Sequence, residues 1–166
     1  MNFNNGWYVL YVKPRWEKKV NESLKDILLE SFLPQIKTIR QWSDRKKTIL
    51  KPMFPSYVFV NVKSSTEFHK ALSVNGACAY ISFGREYAKV SASEIDKIKT
   101  LVSADAVTNF EIDTRRLKIG AIKTINQGPL SGLECEVLKV NNKNKVVVRI
   151  DSLQQNILAT VPSHFI

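Results

Sequence analysis

Apolar and polar positions change their spacing several times along this chain, and each change marks an element. Trp7 to Val12 is a short, wholly apolar run rich in rings and branched side chains, which predicts a central strand ended by Pro14. From Trp16 the pattern turns helical: Trp16, Val20, Leu24, Ile27 and Leu28 share one face, while Glu17, Lys18, Lys19, Asn21, Glu22, Lys25 and Asp26 cover the other. Leu33 to Leu50 alternates on either side of the polar tip Ser43-Asp44-Arg45-Lys46-Lys47, which predicts a long hairpin arm. Next, Pro52 and Pro55 bracket a turn into a strand where Val58, Val60 and Val62 point one way and Tyr57 and Phe59 the other. The two rings either lie under a helix of the same domain, which is the commoner use, or form a docking surface.

Ser64-Ser65-Thr66-Glu67 reads as a capping box opening a short helix to about Val74; Gly76 breaks it, and Ala77 to Phe83 returns to strand. A second box, Ser91-Ala92-Ser93-Glu94, precedes Ile95, Ile98, Leu101 and Val102 on one helix face. The sum over residues 1–104 is an α/β sandwich of ferredoxin-like type with one added helix. Periodicity then stops, so 105–116 is expected as a linker. From 117 to 166 the runs Ala121–Ile125, Leu133–Val140, Lys145–Ile150 and Asn156–Val161 predict a second, all-β domain, with Asn141-Asn142-Lys143-Asn144 as the turn of the middle pair. A five-stranded barrel results if the tail Ser163-His164-Phe165-Ile166 closes it.

Charge adds a class of partner. The chain's formal net charge is +10, and residues 13–51 alone hold 11 Lys or Arg against 5 Asp or Glu, net +6, which points to a polyanion on the N-terminal side. Lys13, Arg15, Lys18 and Lys19 crowd the entry turn of the first helix around Trp16. Cys78 and Cys135 both sit in apolar, strand-like runs and are expected as reduced core residues rather than a disulfide. With only two histidines besides, no metal-ligand cluster and no cofactor site is expected, and the carboxylates lie scattered among lysines. No catalytic constellation is present, so the chain is not expected to be an enzyme. No run of about 18 apolar residues suggests a membrane span. The polar start Met1-Asn2-Phe3-Asn4-Asn5-Gly6 lacks signal-peptide character, so a cytoplasmic protein is expected.

Three segments, in order, carry a resemblance. Trp7-Tyr8-Val9-Leu10-Tyr11-Val12-Lys13-Pro14-Arg15, Lys51-Pro52-Met53-Phe54-Pro55-Ser56-Tyr57-Val58-Phe59-Val60 and the KOW-like unit about Gly128-Pro129-Leu130-Ser131-Gly132 resemble the NusG family of transcription elongation factors. The resemblance implies an amino-terminal domain that binds RNA polymerase, followed by a five-stranded KOW barrel. Its polymerase-facing positions fall on Tyr11, Pro55, Tyr57, Phe59 and Phe83, and its nucleic-acid face, toward the non-template DNA strand, on Lys13, Arg15, Trp16 and Lys18. Ser64-Ser65-Thr66 falls where related factors touch the far side of the polymerase cleft. Cys135 stands where a second glycine is common, and Ser152-Leu153-Gln154-Gln155-Asn156 replaces the usual Phe-Gly-Arg segment, which implies a specialised paralogue acting as an antiterminator at selected operons. A monomer is expected, with the KOW domain open to the ribosome or another factor. The alternative class is an RNA- or ribosome-binding KOW module acting in translation.

Overall fold

In the computed structural model, which describes residues 3–114, 122–140 and 142–166, the first apolar run becomes β1 (Gly6–Val12). There follow α1 (Glu17–Asp26), β2 (Glu30–Phe32), β3 (Gln35–Gln41), β4 (Lys46–Pro52), β5 (Tyr57–Val62), α2 (Ser65–Leu72), β6 (Ala77–Tyr80), β7 (Ser82–Phe83), β8 (Glu86–Tyr87) and β9 (Lys89–Val90). These belong to the first of two compact units, Met1–Ala92. Its main sheet runs β2-β5-β1-β6, wholly antiparallel, with β9 also on β1. With the inserted hairpin β3–β4 set aside, this is the split strand order of a ferredoxin-like sandwich.

The period-two alternation decides the core. Tyr8, Leu10 and Val12 of β1 share a buried cluster with Val58, Val60 and Val62 of β5, Val20 and Leu24 of α1, and Phe68 and Ala71 of α2. Each of the branched side chains among them contributes about 1.5–3 kcal/mol by leaving water. The expected helix face fails at one residue: α1 stops at Asp26, and Leu28 takes a left-handed backbone (φ 62) with its side chain 92% exposed. The first capping box forms with a shift. Ser64 Oγ accepts from the Glu67 N–H (3.1 Å), but the Glu67 carboxylate reaches back to the Lys63 N–H (2.6 Å).

The second unit, Ser93–Ile166, takes in nearly all of α3 (Ala92–Ser103), whose Ile95, Ile98 and Leu101 are buried. The unit boundary thus falls at the first residue of the helix that periodicity placed at the end of residues 1–104. Within the expected linker 105–116, residues Thr108–Asp113 form β10, which pairs with a strand far along the chain, from Thr108↔Thr160 to Asp113↔Asn156. The expected domain start at 117 falls in 115–121, outside the described residues, as does Asn141 of the expected turn. After β11 (Ile122–Thr124), β12 (Glu134–Val140), β13 (Lys143–Ile150) and β14 (Gln155–Val161) the sheet order is β10-β14-β13-β12-β11, all antiparallel. Val146, Val148 and Ile150 are buried as expected. Among the described residues, no strand pairing joins β10 to β11, so the hydrogen bonds draw a five-stranded sheet rather than a closed barrel. The tail nevertheless packs inward. The Phe165 ring lies against Gly128 (φ +73), where an added Cβ would sit 2.8 Å from the ring, so a side chain there is excluded twice over.

Both cysteines are free; Cys135 is buried as expected, but Cys78 is exposed. The apolar run that suggested a core position for Cys78 is broken there by a bulge: Tyr11 pairs with Ala79 and Val12 with Ala77, so Cys78 is the extra residue and is turned out of the alternation that buries Tyr80. No helix among the described residues is long and apolar enough to cross a membrane.

Candidate functional site

Two side-chain groups meet where β1 ends. The antiparallel register sets Tyr11 opposite Tyr57, which places both rings on the sheet face turned away from α1 and α2, edge to face at 6.5 Å. Tyr11 is 41% exposed and Tyr57 half-buried, and burial, with the Tyr11 phenol beside it, pushes the Tyr57 hydroxyl above its ordinary pKa. The pair presents ring edges with hydroxyl tips, a surface suited to docking on protein. Phe59 shares that face, two residues along, but is fully buried. Its ring meets Phe54 at 5.8 Å and Phe32 at 6.0 Å. The expectation that Phe59 is a contact residue is corrected: this face carries a core layer of its own, and Phe59 belongs to it. Pro55 is exposed in the turn before β5, and Phe83 is exposed at the tip of the separate hairpin β7–β8.

The basic turn follows directly. Lys13, Arg15 and Lys18 are exposed, with Arg15 in a left-handed conformation (φ 69) that turns the chain into α1. Trp16 is half-buried and seated on Gly76, where an added Cβ would lie 2.7 Å from the indole. The ring is also occupied: Lys19 Nζ stands 4.3 Å and Lys13 Nζ 5.2 Å from its centroid. Such cation–π contacts are worth about 0.5–1 kcal/mol at exposed sites, enough to order the ammonium groups but not to hold them against a polyanion. Trp16 thus organises two cations about its ring.

One buried acid ties the two groups together. Glu17 opens α1, where a negative charge suits the helix dipole, and its Oε1 accepts the Ser56 N–H at 2.8 Å; both residues are buried. Ser56 has φ 63, and its carbonyl accepts the Val12 N–H at 2.8 Å. The turn that delivers Tyr57 is therefore clamped to the end of β1 and the start of α1. Sequence reasoning put Glu17 on a solvated face, because its partner lies 39 residues away. Charge alone grouped Lys19 with the entry turn, but the positions implied by resemblance leave it out; its place three residues past Trp16, over the same part of the helix surface, is the signal that includes it. Among the described residues, no group of three or more metal-ligating side chains comes together.

A family model described as "Transcription termination factor nusG" matches residues 5–99, which contain both groups. Among solved structures, "Domain interaction in Thermotoga maritima NusG" aligns with 95% of this chain and 94% of that one at 19% identity and a TM-score of 0.53, a likeness of fold. Two structures of the MjSpt4:Spt5 complex also align. Conformation A covers 84% of this chain and 83% of that chain (11% identity, TM-score 0.34), and conformation B 96% and 93% (12%, 0.35). No curated protein sequence matches the chain.

Proposed function

The chain belongs to the NusG family of transcription elongation factors, and from that premise we propose that it holds RNA polymerase through the Tyr11–Tyr57 patch and the non-template DNA strand through the Lys13–Lys19 turn, suppressing pausing and termination at selected operons. The observation that carries the reading is the Glu17–Ser56 clamp, which mounts a ring pair and a cationic turn on one rigid corner. Pro55 and Phe83 extend the polymerase side. A factor docked this way has no chemistry of its own. It shifts the balance between paused and elongating complexes only by binding them with different affinity, and about 1.4 kcal/mol of difference changes the paused population tenfold.

Residues 117–166, with β10 ahead of them, are proposed to act as a KOW-type domain that receives the ribosome or another factor; the five antiparallel strands and the buried Val146, Val148 and Ile150 support this. The specialised, operon-selective role rests on the resemblance, in which Ser152-Leu153-Gln154-Gln155-Asn156 replaces the family's usual Phe-Gly-Arg segment. The protein is proposed to work as a monomer in the cytoplasm.

Single-round transcription with the full-length protein tests the reading. Pause lifetimes should shorten and terminator read-through should rise on templates carrying the native leader. Equal lifetimes with and without protein contradict it. The DNA contact has its own check: replacing Lys13, Arg15 and Lys18 with Gln is expected to flatten the salt dependence of single-stranded DNA binding, by about 0.7 log unit of slope for each phosphate no longer neutralised. An unchanged slope assigns these charges to solvent.

A further inference from the structure

The hairpin β3–β4 takes no part in the main sheet: its two strands pair only with each other, from Gln35↔Pro52 at the base to Gln41↔Lys46 near the tip. The Trp42 N–H donates to the Arg45 carbonyl (2.8 Å), closing a tight loop over Ser43 and Asp44. Residues 36–51 hold six Lys or Arg and a single acid, Asp44. The register sorts them. Arg40 lies opposite Lys47, and Trp42 and Arg45 follow on the same face, all of them exposed, with the Trp42 indole 56% accessible. Like charges set opposite each other across a ribbon destabilise it, and an indole left in water at a loop tip adds no packing. An ordinary solvated arm has no need of either feature, and Ile39, 72% exposed on the other face, keeps the ribbon from reading as merely solubilising.

We infer that this ribbon is a second nucleic-acid site, distinct from the Lys13–Lys19 turn, which binds duplex DNA with its Arg40/Lys47 face toward the phosphates and Trp42 as an apolar wedge at a base step. A two-stranded ribbon fits the major groove of B-form DNA, and ribbons or loops that carry an apolar tip are able to unstack a step and bend the duplex. Duplex rather than single strand is favoured by the shape: the ribbon has the width of the major groove and carries cations on both faces, Arg40 and Lys47 on one and Lys37 and Lys46 on the other, so that lying in the groove it meets phosphates on either side. Such binding needs DNA alone and no polymerase.

The test uses full-length protein and a fluorescein-labelled duplex of about two helical turns, with a single strand of the same length as reference. Replacing Arg40 and Lys47 together with Gln should lower the duplex salt slope by about 1.8, at 0.9 for each phosphate, and leave the single-strand slope unchanged. Trp42→Ala should weaken duplex binding about tenfold while Trp42→Phe restores most of it, because stacking tolerates a change of ring. Circular dichroism of each variant establishes that the exposed substitutions leave the fold intact. A duplex slope unaffected by Arg40→Gln/Lys47→Gln, or an equal reduction on the single strand, overturns the inference. So does a defect confined to polymerase binding, which would make the ribbon a protein contact.

Discussion

Phe59→Ala is expected to destabilise the first unit by about 3–5 kcal/mol, a large share of the roughly 5–15 kcal/mol that holds a typical domain folded. The side chain is fully buried between Phe32 and Phe54, and its backbone partner Val9, on the neighbouring strand, is buried too. Truncation loses the transfer energy of a ring and leaves a cavity walled by stiff aromatic neighbours that have little freedom to collapse into it. All three tryptophans, Trp7, Trp16 and Trp42, lie in this unit, so intrinsic fluorescence during urea unfolding reports on it selectively. The expected result is a lower midpoint at unchanged slope. A midpoint equal to wild type means the ring packs less well than its burial indicates.

The contrast between Phe59 and Tyr57 explains much of what was legible in the sequence. Alternation correctly separated Val58, Val60 and Val62 from the rings, because a strand's side chains have no other choice of side. It did not tell a second core layer from a docking face, since both are apolar; that depends on Phe54 and Phe32, which only the turn and the sheet order bring near. Leu28 failed for a local reason. Helical spacing extends a face indefinitely on paper, whereas the chain leaves the helix at Asp26 and uses a left-handed residue for the reversal. Glu17 and β10 failed for a nonlocal one: the buried carboxylate is satisfied by a backbone N–H in a distant turn, and Thr108–Asp113 is a strand because β14 is there to pair with it. The basic turn was legible as charge, but its ordering about the Trp16 ring was not.

Replacing Tyr11 and Tyr57 together with Ala is expected to remove most of the affinity for RNA polymerase while the first unit stays folded. Anchor aromatics commonly cost about 2 kcal/mol or more each on truncation, so one ring corresponds to roughly 30-fold and two to roughly a thousandfold if additive. Because the rings touch, their effects should couple, and the single variants measure that coupling. Folding suffers less than for Phe59, since Tyr11 is 41% exposed and Tyr57 already half in water. Raised pH should also destabilise the first unit, seen as a lower urea midpoint. Burial holds the Tyr57 phenol in its neutral form and raises its pKa in the folded chain, so its contribution is fully present below the ordinary tyrosine pKa and is lost as pH rises through the raised one.

The most direct measurement is a titration of core RNA polymerase with fluorescently labelled full-length protein, run beside the Tyr11→Ala/Tyr57→Ala variant, with urea midpoints taken on the same preparations. The predicted result is saturable binding by the wild type, and binding weakened at least about 30-fold in a variant whose midpoint stays near that of the wild type. Wild-type protein that fails to bind polymerase, or a folded double variant that binds as tightly as wild type, contradicts the account.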